Sequence, residues 1–264
     1  MELRRLEEQE HQKTRKLWEE VFSDDTRAFL DYYYFIKTKE NEIWVIEEDG
    51  EIQSMLQLNP YQLQVAEHPF LCRYIIAVAT RAQYRSRGYM SSLLRKAMQE
   101  MYGKKEPFTF LMPAAEAIYT PYDFRFVYSQ RQAVFEKKAE TELIEEEDAT
   151  MFQAEELAAF AKERLFGTAR VYAVRDAHYY QTRVLEQQSE NGGIRMLKKD
   201  GKLVGIYCYA KEETCEVLEP LILPGYETVF WDSISGLSEN PVKVLACPEV
   251  LEPCARSVER KPMI

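Results

Sequence analysis

Two stretches of this chain spell the same short architecture. Ile43 to Leu58 reads IWVIEEDGEIQSMLQL, and Ile194 to Tyr209 reads IRMLKKDGKLVGIYCY. Each sets an apolar run, a charged pair, Asp-Gly and a second apolar run in the same register. Asp and Gly both tolerate positive φ, so each stretch predicts a β-hairpin. Two stretches with helical spacing precede each hairpin, residues 9–22 and 26–37 in the first half and 151–165 and 176–188 in the second. A repeated order of elements is the mark of tandem copies of one fold. The expected organisation is therefore two α/β (α+β) domains, over residues 1–140 and 141–264, with the acidic run Glu145-Glu146-Glu147-Asp148 at the seam.

The first half continues with Arg73 to Thr80 (RYIIAVAT), a β-rich run without alternation, as expected for a strand buried on both faces. Residues 89–101 follow as a helix with Leu93, Leu94, Ala97, Met98 and Met101 on one stripe. Pro107 to Met112 (PFTFLM) predicts another buried strand. A short helix over 114–120 and a strand pair between Phe126 and Lys137 complete the half. Ser23-Asp24-Asp25 predicts a turn that caps the second helix. In the second half a strand over 215–223 leads into a helix over 227–237.

Composition removes several function classes. The formal net charge of −10 repels a nucleic-acid backbone. No apolar run reaches the roughly 20 residues that cross a bilayer, and the opening MELRRLEEQEH lacks the apolar centre of an export signal, so a cytoplasmic protein is expected. Five cysteines with no C-x-x-C pair predict reduced structural thiols, and three histidines leave little for a metal site. His68, beside Pro69, is expected in a loop, and His11 and His178 on helix surfaces.

The segment that carries chemistry runs from Val78-Ala79-Thr80 through Arg81 to Arg85-Ser86-Arg87-Gly88-Tyr89-Met90-Ser91. A buried strand enters a basic turn containing glycine and passes directly into an amphipathic helix. Amides at a helix start lack partners and face outward, and the helix dipole adds positive potential there, so a diphosphate is the natural ligand. Gly88 allows close backbone approach, and Arg85 and Arg87 add charge at the rim.

Arg85-Ser86-Arg87-Gly88-Tyr89-Met90 resembles the coenzyme A motif of the GCN5-related N-acetyltransferases (GNAT), Gln/Arg-x-x-Gly-x-Gly/Ala. Met90 stands where that motif has a small residue, which predicts crowding on the phosphate side. Leu111-Met112-Pro113-Ala114-Ala115-Glu116-Ala117-Ile118-Tyr119, followed by Phe124-Arg125-Phe126, is similar to the matching segment of the enhanced-intracellular-survival (Eis) acetyltransferases. Arg125 replaces the glycine of that family's Phe-Gly-Phe/Tyr corner.

The resemblance implies two tandem GNAT folds, with mixed, mostly antiparallel twisted sheets flanked by helices, the second copy lacking a cofactor loop. It implies acetyl-CoA as co-substrate, no metal, and a primary amine of a small molecule or an exposed lysine as acceptor. Val78, Ala79, Thr80 and residues 85–91 would bind the cofactor, and Tyr119 would protonate the departing thiolate, with Tyr122 as the alternative. For the base the resemblance points to a terminal carboxylate, here that of Ile264; Glu116 and Asp25 are further candidates, as is water. Relatives are often multimeric, so a homo-oligomer is an open expectation, as is a sterol-carrier-like third domain after Ile264. Two other functions stay open: a protein that holds coenzyme A without turnover, and an aminoacyl transferase, which the acidic charge disfavours. In the second half, residues 220–236 (PLILPGYETVFWDSISG) contain no Lys or Arg, and Glu227 and Asp232 would oppose a diphosphate.

Overall fold

From the N-terminus, β1 (Glu2–Arg5) leads through a 3-10 turn (Glu8–Thr14) to α1 (Arg15–Val21) and α2 (Arg27–Phe35). The hairpin β2 (Glu42–Glu48) and β3 (Glu51–Val65) follows, then β4 (His68–Thr80), α3 (Tyr89–Gly103), β5 (Thr109–Phe110) and α4 (Glu116–Tyr119). The remaining elements are β6 (Gln130–Phe135), β7 (Glu145–Asp148), α5 (Ala154–Leu165), β8 (Val171–Ala173), α6 (Ala177–Ser189), β9 (Gly193–Lys199), β10 (Lys202–Lys211), β11 (Cys215–Ile222), α7 (Glu227–Ser235), β12 (Val242–Ala246) and β13 (Ser257–Arg260). This computed structural model describes residues 1–128, 130–135, 144–246 and 257–260.

Contacts divide the chain into two units. Met1–Val127 and Val171–Val174 belong to the first, and the other described residues to the second. The first carries a mixed sheet ordered β1-β2-β3-β4-β5, with β8 paired to the far end of β3 through Leu63↔Ala173, Gln64↔Tyr172 and Val65↔Val171. The second carries a mixed sheet ordered β13-β6-β12-β11-β10-β9-β7. Both hairpins form where expected. Asp49 and Gly50 turn at φ 56° and 75°, and Asp200 and Gly201 at 50° and 71°, the left-handed pair that a two-residue hairpin requires.

Alternation along β3 sends its side chains to opposite faces of the first sheet. Leu56 and Leu58 join Trp44, Ile46 and Ile75 beneath the α3 stripe of Leu93, Leu94, Ala97 and Met101. On the other face Gln57 and Asn59 accept from the buried Tyr33 hydroxyl of α2 (3.2 and 3.3 Å). Trp18 packs 4.6 Å from Tyr33, so Trp18, Tyr32, Tyr33 and Tyr34 are core.

Several expectations are corrected. Thr26, not the preceding acidic turn, caps α2, its side chain accepting from Phe29 N–H. Asp25 accepts from the Trp18 indole instead (2.6 Å). His11 is buried, its Nδ1 2.8 Å from the Thr38 carbonyl oxygen, and His68 opens β4. Of residues 107–112 only Thr109–Phe110 form a strand, with Leu111 in an isolated bridge. β6 joins β12 and β13 of the second sheet, not a partner in the first half. Lys137, Cys247, Cys254 and Ile264 lie outside the described residues. The acidic run is β7, bound to β9 with Arg195 and Lys198 neutralising it. Cys72, Cys208 and Cys215 are free and buried, and burial pushes the Cys72 and Cys208 thiols up to about 11.

The largest departure is in β4. Met55 pairs with Ala79 but Gln57 with Ile76, so Ala77 and Val78 together stand opposite Leu56. Ala77 takes φ 52°, and the extra residue makes a β-bulge. In the second sheet Ile206 pairs with Leu221 and Cys208 with Leu218, and Glu219 takes φ 55°. The same device sits at the same distance from each hairpin. Glu219 is held by the Tyr179 hydroxyl (2.7 Å) and by Arg175 and Arg183 (3.5 Å each). Burial opposes its charge, yet Arg175, Arg183 and the Tyr179 hydroxyl hold its carboxyl below the usual carboxylate range.

Candidate active site

The bulge determines what β4 can offer. β4 and β5 pair in parallel only through Arg73↔Thr109 and Tyr74↔Phe110. Beyond Tyr74 that edge of β4 has no strand partner among the described residues. Arg81 N–H donates to Gln53 O (3.0 Å), and Ser54 stands opposite Thr80. In an antiparallel ladder such a pairing turns the polar groups of Thr80 away from β3. Ala77 and Val78, set outside the ladder by the bulge, extend this open edge. Ala79 is buried, with its carbonyl accepting from Ser54 Oγ (2.9 Å).

The chain leaves the edge through a turn with two left-handed residues, Ser86 at φ 61° and Gly88 at φ 80°. Gly88 is the N-cap of α3, with no side chain to cap the helix and no acid in its first turn. The first helical bond runs from Ser92 N–H to Gly88 O (3.0 Å). The amides of Tyr89, Met90 and Ser91 therefore point out of the helix end, where the dipole is positive. A Cβ built on Gly88 meets no atom within 4 Å, so the backbone there is open to a ligand.

Side chains around this turn divide into fixed and exposed. Arg81 is buried and tied to Glu51 and Glu20 of the hairpin and α1. Tyr89 is buried and donates to Glu48, which fixes the start of α3 and raises the Tyr89 pKa. Arg87 lies 4.7 Å from the centre of the Tyr84 ring. Arg85 donates from Nε to the Thr80 carbonyl (3.1 Å). Arg85, Ser86 and Arg87 are all exposed, and Ser91 is half-buried. Met90 is half-buried, and its side chain packs against the core under α3.

Tyr119, at the end of α4, belongs to the same core cluster as Tyr89, with Val78, Tyr84 and Met90 packed against it. It is 8% exposed and meets Phe124 edge-on at 5.8 Å. Burial, with Tyr74 adding to it, raises its pKa, so the hydroxyl keeps its proton through the neutral range. Tyr122 is half-buried against the same cluster. Glu116 is exposed, and Asp25 is engaged by Trp18. The left-handed residue of the corner is Asp123 (φ 65°), which leaves Arg125 free of that constraint.

A cleft of about 720 Å³ opens along α1 and α2, lined by Arg15, Glu19, Phe22, Asp25, Leu30 and Asp31 among others. Arg15 takes Glu19 and Asp31, and Trp18 takes Asp25, so its carboxylates all have partners. Among the described residues no group of three His, Cys, Asp or Glu could hold a metal, and no helix is long and apolar enough to cross a membrane.

The sequence signal missed the bulge, because Ala77 is not a residue that announces positive φ. Its only trace is the register itself, which no local pattern reveals.

None of the curated proteins matches this sequence. The whole chain is similar in fold to solved structures of low identity. One is a conserved protein of unknown function from Enterococcus faecalis V583, described as a probable N-acyltransferase, at TM-score 0.80 and 14% identity over 99% of this chain and 71% of that one. A GCN5-related N-acetyltransferase from Kribbella flavida gives 0.77 and 13% over 99% and 70%. Eis1 from Mycobacterium abscessus gives 0.67 and 13% over 100% and 73%. At such identities the likeness concerns the fold, that of two mixed sheets flanked by helices. The sequence itself matches a family model over residues 2–127, the span that holds the open strand edge, the basic turn and Tyr119. That model is the acetyltransferase (GNAT) domain.

Proposed function

We propose that the first unit moves the acetyl group of acetyl-coenzyme A to a primary amine, on a small molecule or an exposed lysine. The observation that carries this reading is one continuous surface: a strand edge opened by the Ala77 bulge, running into amides and arginines at the start of α3. Bound there, the cofactor would supply an activated thioester. The amides of Tyr89, Met90 and Ser91, approached over Gly88, would hold its diphosphate, with Arg85 and Arg87 at the rim. Val78 and Thr80 would pair with the amides of the acyl arm as a neighbouring strand would, and an edge N–H would polarise the acyl carbonyl. Tyr119 would give its proton to the departing thiolate, a role that needs the protonated form its burial maintains.

The second unit we read as a copy without a cofactor site. Pro220 follows the bulge residue Glu219 where Val78 follows Ala77, and proline has no N–H to offer. Glu227 turns its carboxylate onto Gly225 N–H at the start of α7 (2.9 Å), in place of a ligand.

Thermal unfolding with coenzyme A tests the reading directly. Saturation at a hundred times the dissociation constant should add about 2.7 kcal/mol of stability, and an unmoved curve overturns it. Free thiol released from acetyl-coenzyme A with a panel of amines then separates turnover from binding alone. Tyr119→Phe should lower turnover by about tenfold or more with coenzyme A affinity unchanged. Unchanged turnover removes Tyr119 from the role. Gly88→Ala should cost about 1–2 kcal/mol of stability through its left-handed φ, and weaken coenzyme A binding because the new Cβ points into the open approach. Full retention of affinity in that variant would move the diphosphate elsewhere.

A further inference from the structure

The two exposed arginines of the basic turn are in different states. Arg87 sits against the Tyr84 ring, beside the Tyr89 hydroxyl, on the helix side of the turn. Arg85 points the other way and donates to the carbonyl of Thr80, the last residue of the open edge of β4. That carbonyl is one of the acceptors that a peptide-like ligand laid along the edge would use. Arg85 therefore occupies, from within the chain, part of the surface on which the acyl arm would lie.

We propose that Arg85 couples the two halves of the coenzyme A site: it covers the Thr80 carbonyl in the free protein and leaves it when a diphosphate binds at the start of α3. The inference rests on the coenzyme A reading above. Its physical basis is the order of hydrogen-bond strengths. A guanidinium bonds a neutral carbonyl less strongly than it bonds an anionic phosphate, where both partners carry charge. Arg85 bonds the Thr80 carbonyl from a position three residues before the N-cap Gly88. The Thr80 bond uses Nε, so offering a diphosphate the paired Nε–H and Nη–H of a bidentate contact breaks it. Filling the diphosphate site thus frees the edge, and binding of the nucleotide half prepares binding of the acyl arm. By linkage the coupling is reciprocal. Arg87, held on the helix side, adds charge for the diphosphate but takes no part in the exchange.

The test separates the cofactor into its two halves. Calorimetric dissociation constants would be measured for pantetheine, for the nucleotide diphosphate half and for intact coenzyme A, on the full chain and on the exposed-site variants Arg85→Met and Arg87→Met. In the unmodified protein, a saturating nucleotide half should tighten pantetheine binding about fivefold, the low end of site-to-site coupling for a solvent-exposed contact. In Arg85→Met, pantetheine alone should bind about fivefold tighter than to the unmodified protein, with the coupling gone. Arg87→Met should weaken the nucleotide half and keep the coupling. Equal coupling in the unmodified protein and Arg85→Met, or none in the unmodified protein, overturns the proposal while leaving the coenzyme A site intact. Failure of intact coenzyme A to bind the unmodified protein overturns both.

Discussion

Glu219→Leu should lower the unfolding free energy of the second unit by about 3 kcal/mol at neutral pH, the low end for removing one partner of a buried ion pair. The low end applies because 28% of the Glu219 side chain remains accessible, whereas Arg175 and Arg183 retain 16% and 14%. Loss of the carboxylate leaves both guanidinium groups half-sequestered with one fewer counter-charge, and the Tyr179 hydroxyl without its acceptor. The effect also has a pH signature. Arginines hold the native Glu219 carboxyl below its ordinary range, so the unfolded chain takes up the proton first as pH falls. The stabilisation is complete above the unfolded-state value of about 4.3 and disappears as pH drops through the lower native value. Denaturant titrations at pH 7 and at acid pH should therefore show the gap between Glu219→Leu and the unmodified protein closing on acidification. A constant gap would mean that Glu219 acts through packing and not through charge.

Gly192→Ala should cost about 3 kcal/mol, the upper part of the range for overpacking a close contact, and lower the melting temperature by roughly 6–12 °C. Gly192 lies three residues past α6, with its N–H on Gln187 O (2.8 Å), and passes beside β10. A Cβ at this position would lie 1.8 Å from the Tyr209 carbonyl oxygen, a backbone atom in the β9–β10 ladder that cannot rotate aside. Relief must come from separating α6 from β9 and β10. Gly225→Ala is the matched control, since no atom lies within 4 Å of its added Cβ and only its φ of 89° is strained. Gly192 has no left-handed φ, so a loss no larger than that of Gly225→Ala would show that the chain relaxes around the clash.

What the sequence made legible was local. Asp-Gly announces its own left-handed pair, and the leucine stripe of α3 needs only helical spacing, so both hairpin turns and the long helix lie close to where they are expected, although β3 runs on to Val65. The basic turn was legible for the same reason: glycine before an apolar helix has few other readings. What stayed hidden was register and burial of polar groups. RYIIAVAT looked buried on both faces, but in β4 buried and half-buried residues largely alternate and the run is broken by a bulge at an alanine. Gln57 and Asn59 are polar letters within a core strand, their side-chain oxygens accepting from Tyr33 of a helix that sequence cannot place against them. Glu219 read as one acid in a mixed run, and its arginines come from 36 and 44 residues earlier in the chain (219 − 183 and 219 − 175).

β8 has a consequence for how the protein is born. Its three residues lie between α5 and α6 in the chain, yet they complete the ladder at the end of β3, with Val174 N–H closing on Gln62 O (2.8 Å). A nascent polypeptide that has emerged only as far as residue 127 carries every residue of the proposed site but leaves Leu63–Val65 as a bare strand edge, a template for any passing extended segment. The ribosome must deliver nearly fifty more residues before that end is sealed (173 − 127 = 46). A cell making this protein should therefore shield the first unit with holdase chaperones for that interval, and a stop codon placed after residue 127 should yield inclusion bodies instead of a folded first unit.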